Sequence, residues 1–267
     1  MKDCIIGGCY GYTYDQIKYW INSINRCGFE GDKVLILFGS SDELAQRVAD
    51  QGFEVLVYNV DTNAAPHVMR FNAIHDYLSQ NEYRFVITTD VRDVVFQKNP
   101  IPWMELYLQR KNIVVSSECL KYKDEPWGDN NIKETFGDYV YNKMKDNTIY
   151  NVGVIGGRGK YVSDLCLDIA VNTVNRPIKI CDQSVFNFLA LNQMYKDNIK
   201  LASLQENWAA HLGTIADPSK MHYFRPNLLE PEPTFDGKFI QAYGGTPVIA
   251  HQYDRTIWRN DIEKIYE

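Results

Sequence analysis

Six cysteines are scattered through the chain without a Cys-x-x-Cys pair or a Cys/His spacing suited to zinc, which excludes a zinc-ribbon or dithiol motif. They read as reduced core thiols. Basic residues are in deficit: Lys and Arg number 28 against 34 Asp and Glu, a net charge of −6, so the surface offers no stripe for a nucleic-acid backbone. Any anionic ligand must then be small and locally neutralised, as by a bound cation. No apolar run reaches the length of a membrane span, and Met1-Lys2-Asp3 leads into a short strand without the apolar segment of a secretory signal. The expectation is a soluble protein in a reducing, cytoplasmic compartment, unless an anchor lies beyond this stretch. Repeats, linkers and low-complexity tracts are missing too. The turn after the first strand, Gly7-Gly8-Cys9-Tyr10-Gly11-Tyr12-Thr13, lacks the Gly-x-Gly-x-x-Gly spacing, which leaves a dinucleotide cofactor unsupported.

What is present alternates. Short β-rich runs at Asp3 to Gly8, Lys33 to Phe38, Phe53 to Tyr58, Arg84 to Thr88 and Asn112 to Ser116 are separated by segments with helical spacing. Ile17, Ile21 and Ile24 form one such face, and Phe71, Ile74 and Leu78 another. Trp103 to Arg110 reads as helix, as do a segment ending near Lys145, Lys160 to Val174, and Asp182 to Gln193. Tyr150 to Ile155 reads as strand. The pattern predicts an α/β fold with a mainly parallel central sheet covered by helices on both faces, in one domain over residues 1–267. The polar, aromatic stretch Glu118 to Asn131 is expected to be a lid, a binding loop or a tolerated insertion, and the Pro- and aromatic-rich region from Trp208 onward is not assignable.

Chemistry concentrates at the end of the fourth strand. There a β-branched run delivers Asp90-Val91-Arg92-Asp93, two carboxylates separated by a turn that can converge on one divalent cation. A bare pair of this kind is also a common solvated acidic turn. Three further segments follow in order: Asn151-Val152-Gly153-Val154-Ile155-Gly156-Gly157, Asp182-Gln183, and His251 after the apolar run Val248-Ile249-Ala250. Each has a plain alternative: a strand-ending Gly turn, a helix N-cap, and a core or surface histidine. Arg70 reads either as a ligand-facing cation or as part of a solvated helix face.

Together these segments resemble the nucleotide-sugar-dependent glycosyltransferases of the GT-A (Rossmann-like) fold. Asp90-Val91-Arg92-Asp93 is similar to the acidic motif of the collagen glucosyltransferase domain of lysyl hydroxylases, with one residue more than the usual Asp-x-Asp. Asn151 to Gly157 and Asp182-Gln183 resemble segments of glycogenin-like transferases. The resemblance implies a nucleotide-binding half over residues 1–116 and an acceptor-side half over 117–267. It implies Mn²⁺ or Mg²⁺ on Asp90, Asp93 and His251, and a donor, UDP-linked by expectation, contacted by Gly8, Tyr10, Arg70, Asp90, Asn151, Gly153, Gly156 and Gly157. The extra residue leaves open whether Asp90 meets the ion directly, meets it through water, or holds the ribose. Asp182 and Gln183 are implied near the anomeric carbon or the acceptor hydroxyl, as a general base or as stabilisers of oxocarbenium character. Tyr12 is a further candidate for the nucleobase, and His211 for the acceptor side.

The implied partners are a nucleotide-sugar donor and a carbohydrate acceptor. A sugar nucleotidyltransferase is the alternative enzyme, but it requires a Gly-rich loop ending in Lys or Arg, and Gly7 to Thr13 contains neither. A non-catalytic carbohydrate- or nucleotide-binding module of the same fold is the alternative outside catalysis.

Overall fold

The computed structural model describes residues 1–39, 42–60, 65–191 and 193–267. Eight strands lead the chain: β1 (Lys2–Tyr10), β2 (Asp32–Phe38), β3 (Glu54–Tyr58), β4 (Tyr83–Thr89), β5 (Val94–Phe96), β6 (Ile113–Lys121), β7 (Thr148–Arg158) and β8 (Ile199–Ala202). All but β5 join one seven-stranded sheet in the order β3-β2-β1-β4-β7-β6-β8. Within it β7 alone runs antiparallel to its neighbours. The mainly parallel, helix-flanked α/β fold expected from the sequence is therefore the one observed.

Alternation along each strand explains why both sheet faces are covered. Cys4, Ile6, Val34, Ile36 and Phe38 pack on one side, with helices α3 (Pro66–Gln80), α6 (Gly159–Thr173) and α7 (Asp182–Leu191) supplying Phe71, Ile74, Val162, Leu165 and Val185. The intervening residues Ile5, Leu35 and Leu37 face the other way, onto Ile17, Trp20, Ile21 and Ile24 of α1 (Tyr14–Arg26). Burying each such side chain contributes about 1.5–3 kcal/mol relative to exposure, so the two layers fix the register of the strands that carry the site. Among the described residues no helix is long and apolar enough to cross a membrane. All six cysteines are unpaired and five are buried, as core thiols would be.

Some elements depart from expectation for local reasons. The helix expected at Trp103 to Arg110 is α4, Pro100–Tyr107. It starts early because the Asn99 side chain accepts from the Ile101 amide at 3.0 Å and Pro100 pre-sets the first turn. Glu118 to Asn131 is no loose excursion. Strand β6 continues to Lys121, a 3₁₀ turn follows, and α5 (Pro126–Met144) begins at once, its Glu125 side chain accepting from the Gly128 amide at 2.6 Å. The expected helix Asp182 to Gln193 ends at Leu191 as α7; residue 192 lies outside the described residues.

The unassigned last third forms β9 (Ala209–His211), a hairpin of β10 (Thr234–Phe235) and β11 (Ile240–Gln241), and β12 (Ile249–His251). Strand β12 lies between β5 and β9 in a second, three-stranded sheet. Its three-residue strands are too short to show a period in sequence, yet they complete the candidate site.

Candidate metal centre and cavities

Two pairings bring the acids and the imidazole together. At the end of β4, the Asp90 amide donates to the Gly153 carbonyl at 2.8 Å, so β7 holds Asp90 directly above Asn151 to Gly153. Val91 turns inward against Gly7, where any side chain would overlap it, and this anchors the turn that points Asp90 and Asp93 to one side. Strand β12 then pairs antiparallel with β5, placing His251 opposite Val94, and the Gln252 amide donates to the Asp93 carbonyl at 2.6 Å. A slip of one residue in this register would turn His251 to the other face.

The result is a compact cluster. One ligand atom from each of Asp90, Asp93 and His251 lies within 4.8 Å of the others. His251 Nε2 stands 3.3 Å from Asp90 Oδ2 and 3.7 Å from Asp93 Oδ1. It is buried and makes no hydrogen bond among the described residues, an expensive state for a polar atom unless something binds it. Gly153 supplies the room: a Cβ there would lie 2.5 Å from His251 Cε1 and 2.7 Å from Asp90 Oδ2. Two carboxylates and an imidazole form a mixed oxygen and nitrogen donor set that fits Mn²⁺ or Mg²⁺.

His211 sits beside His251 in the parallel β9–β12 register. The two Nδ1 atoms are 2.9 Å apart and the rings are nearly perpendicular, at 87°. One of the two must donate the shared proton. If His251 is to offer a lone pair from Nε2, its Nδ1 carries the hydrogen and His211 Nδ1 accepts it. Burial pushes both imidazoles below their ordinary value, partly opposed at His251 by Asp93, so both are held neutral, the state a metal ligand requires. His211 therefore lies behind His251 rather than on an acceptor surface.

Arg70 is buried, not solvated. One Nη contacts Asp90 Oδ1 and the other lies 3.4 Å from Asp182 Oδ2, so a single guanidinium braces both acids and leaves Asp90 Oδ2 facing His251. Its burial depresses the guanidinium value, opposed by Asp182. Gly8 lets α3 come this close, since a Cβ there would lie 2.9 Å from Arg70 Cβ. Asp182 begins α7 with its carboxylate turned to Arg70.

Two cavities meet at this point and share His67, Arg70, Asp90, Gln252 and Arg255 in their walls. The first, about 370 Å³, is lined by Glu118, Asn151, Gly153, Asp182, Gln183 and His251, among others. The second, about 430 Å³, opens beside Gly8, Tyr10, Tyr12, Phe38 and Asp93. Nearly all the residues singled out from the sequence thus converge here. Gly156 and Gly157 do not. Gly156 gives way to the Trp208 ring, which a Cβ would approach to 2.6 Å, and Gly157 to the Asn112 carbonyl at 2.5 Å. They are close-packing glycines inside the sheet. Nor is the Asn151 amide free: Nδ2 donates to Glu118 at 2.6 Å and Oδ1 accepts from the Gly153 amide at 2.7 Å.

Glu118 is the main residue that sequence reasoning missed. It is buried, and its Oε1 accepts from Asn151 at 2.6 Å and Gln183 at 3.0 Å. Burial and the neighbouring Glu125 hold its carboxyl above the usual range, opposed by those two amides. The signal was there, since Glu118 precedes the apolar pair Cys119-Leu120 at the end of a strand. Arg255, four residues after His251, was also overlooked.

No family model and no curated protein sequence matches this chain. Among solved structures, the chain is similar to the glycosyltransferase GlyE of Streptococcus pneumoniae TIGR4, with a TM-score of 0.62 at 15% identity. The apo form of GlyE gives 0.60 at 14%. Each comparison covers 100% of this chain and 60% of GlyE, so the chain spans about three-fifths of that protein's length. At this identity the likeness shows a shared fold, that of a glycosyltransferase structure.

Proposed function

We propose that this chain is a glycosyltransferase that moves a sugar from a nucleoside diphosphate, UDP by preference, to a hydroxyl acceptor, with Mn²⁺ or Mg²⁺ held by Asp90, Asp93 and His251. The observation that carries this reading is the buried, unpartnered His251 Nε2 aimed at two carboxylates where two cavities join. The fold shared with GlyE supports it.

When bound, the cation supplies Lewis-acid stabilisation of the departing diphosphate. The chain's own residues divide the remaining work. Tyr10 and Tyr12 offer ring faces for a nucleobase in the second cavity, and Gly8 lets a ligand approach the backbone. Arg255 borders both cavities and offers positive charge to the diphosphate at their junction. Arg70 holds Asp90 and Asp182 in place, since its guanidinium spans the two. Asp182 and Gln183 line the first cavity, where the transferred sugar and the acceptor hydroxyl would meet.

Slow donor hydrolysis needs no acceptor, so a panel of nucleotide sugars incubated with and without Mn²⁺ tests the reading. The expected outcome is metal-dependent release of one nucleoside diphosphate. Release that ignores the metal, or none from any donor, would sink the proposal.

A further inference from the structure

We infer that the first cavity contains an acceptor subsite for a pyranose ring, with Trp127 and Ile180 as its apolar rim and Glu118 as its polar floor; this rests on the sugar-transfer reading above. Trp20 and Trp208 are fully buried, as tryptophans in a core should be. Trp127 is not: it stands 50% exposed on the cavity wall, at the second residue of α5. Ile180, 45% exposed, lines the same cavity just before α7. Two large apolar side chains exposed on the wall of one cavity form a joint apolar surface that a ligand can cover.

The two are held in fixed relation by Asn131 of α5. Its Nδ2 donates to the Ile180 carbonyl at 2.7 Å, and its Oδ1 accepts from Ser184 Oγ of α7 at 2.5 Å. The start of α5 is itself pinned by the Glu125 cap. Deeper in the cavity, Glu118 accepts both its hydrogen bonds on Oε1, while Oε2 has no donor among the described residues. On the cavity wall, that oxygen is placed to accept from a ligand hydroxyl.

An apolar platform at the rim and a hydrogen-bond acceptor at the floor match a pyranose, which presents C–H groups on its ring face and hydroxyls around its edge. An indole face attracts the weakly positive C–H groups through its ring quadrupole. A lone serine or threonine hydroxyl of a peptide has no such face to offer Trp127.

The test adds glucose, galactose, N-acetylglucosamine, lactose and maltose to the enzyme with its donor and Mn²⁺, and separately follows tryptophan fluorescence without donor. At least one saccharide should stimulate nucleoside diphosphate release and quench the emission. Trp127→Ala should raise the KM for that saccharide at least tenfold and the KM for donor less than threefold. Trp127→Phe should retain stimulation but lose the quench. The inference is overturned if no saccharide either stimulates or quenches, if the quench survives Trp127→Phe, or if Trp127→Ala raises both KM values alike. Should donor turnover be absent altogether, the transferase reading fails, and the fluorescence titration still decides whether a saccharide binds at Trp127.

Discussion

The two cavities share a wall but not a chemistry. The second is bordered by Tyr10, Tyr12, Phe38 and a Gly8 that has no side chain, surfaces suited to a flat ring and a close backbone approach. The first is bordered by Glu118, Asp182, Gln183 and Asn151, which suit a ligand covered in hydroxyls. Between them stand Arg70 and Asp90, with His251 and Asp93 on either side. The contrast teaches that one molecule with an aromatic end, a charged middle and a hydroxylated end would fill both. Nucleotide sugars have that order.

The comparison breaks most completely if its shared wall is removed. Arg70→Gln leaves Asp182 buried and unpaired and Asp90, one-third exposed, without its brace. Donor turnover should fall on the order of 10²- to 10³-fold, and stability by about 3 kcal/mol in denaturant titration. Near-normal turnover would show that the two cavities work independently.

A more selective change lies behind the cluster. His211→Leu removes the ring nitrogen that faces His251 Nδ1 at 2.9 Å, and should weaken Mn²⁺ binding by about 10- to 100-fold, with His211→Asn recovering most of it. The same pair predicts a pH effect in the metal-free protein. Both imidazoles are held below the ordinary value of 6.5, so the unfolded chain takes up protons first as pH drops past it. Stability should therefore be intact above about pH 6.5 and decline from there downward. Thermal melts between pH 7 and 5 should show this fall in the wild type and a shallower one in His211→Asn.

The smallest effect belongs to the aromatic side alone. Tyr12→Ala should raise the donor KM roughly 2- to 10-fold, the worth of one ring contact, and leave Mn²⁺ affinity within a factor of two. A larger change in metal affinity than in donor KM would reverse the assignment of the two cavities.

How much of this was legible in the sequence depended on the length of the elements. The strands of the main sheet and α1 and α3 announce themselves because their periods of 2 and 3.6 run long enough to be read. The direction of β7 does not, since a strand carries no local record of its partner's sense. Asp90 and Asp93 were visible as a motif. Their meeting with His251 depends on the three-residue pairing of β12 with β5, which no pattern encodes. The glycine-rich run of β7 misled in part: Gly153 makes room for the acid and imidazole cluster, whereas Gly156 and Gly157 make room for Trp208 and the Asn112 backbone. Glycine reports close approach, and only the fold says what approaches. Glu118 was lost inside a segment whose polarity suggested a loop; β6 carries it into the core, with a register shift before it and Cys119 in the left-handed region at φ 59°.

The most direct test of the central claim is a calorimetric titration of Mn²⁺ into metal-free protein in the presence of UDP, wild type against Asp93→Ala. The cation site described here predicts one ion per wild-type chain and affinity at least 100-fold weaker in the variant, with the folded state unaltered by circular dichroism. Equal affinity in the two proteins, or no binding to the wild type, would contradict it.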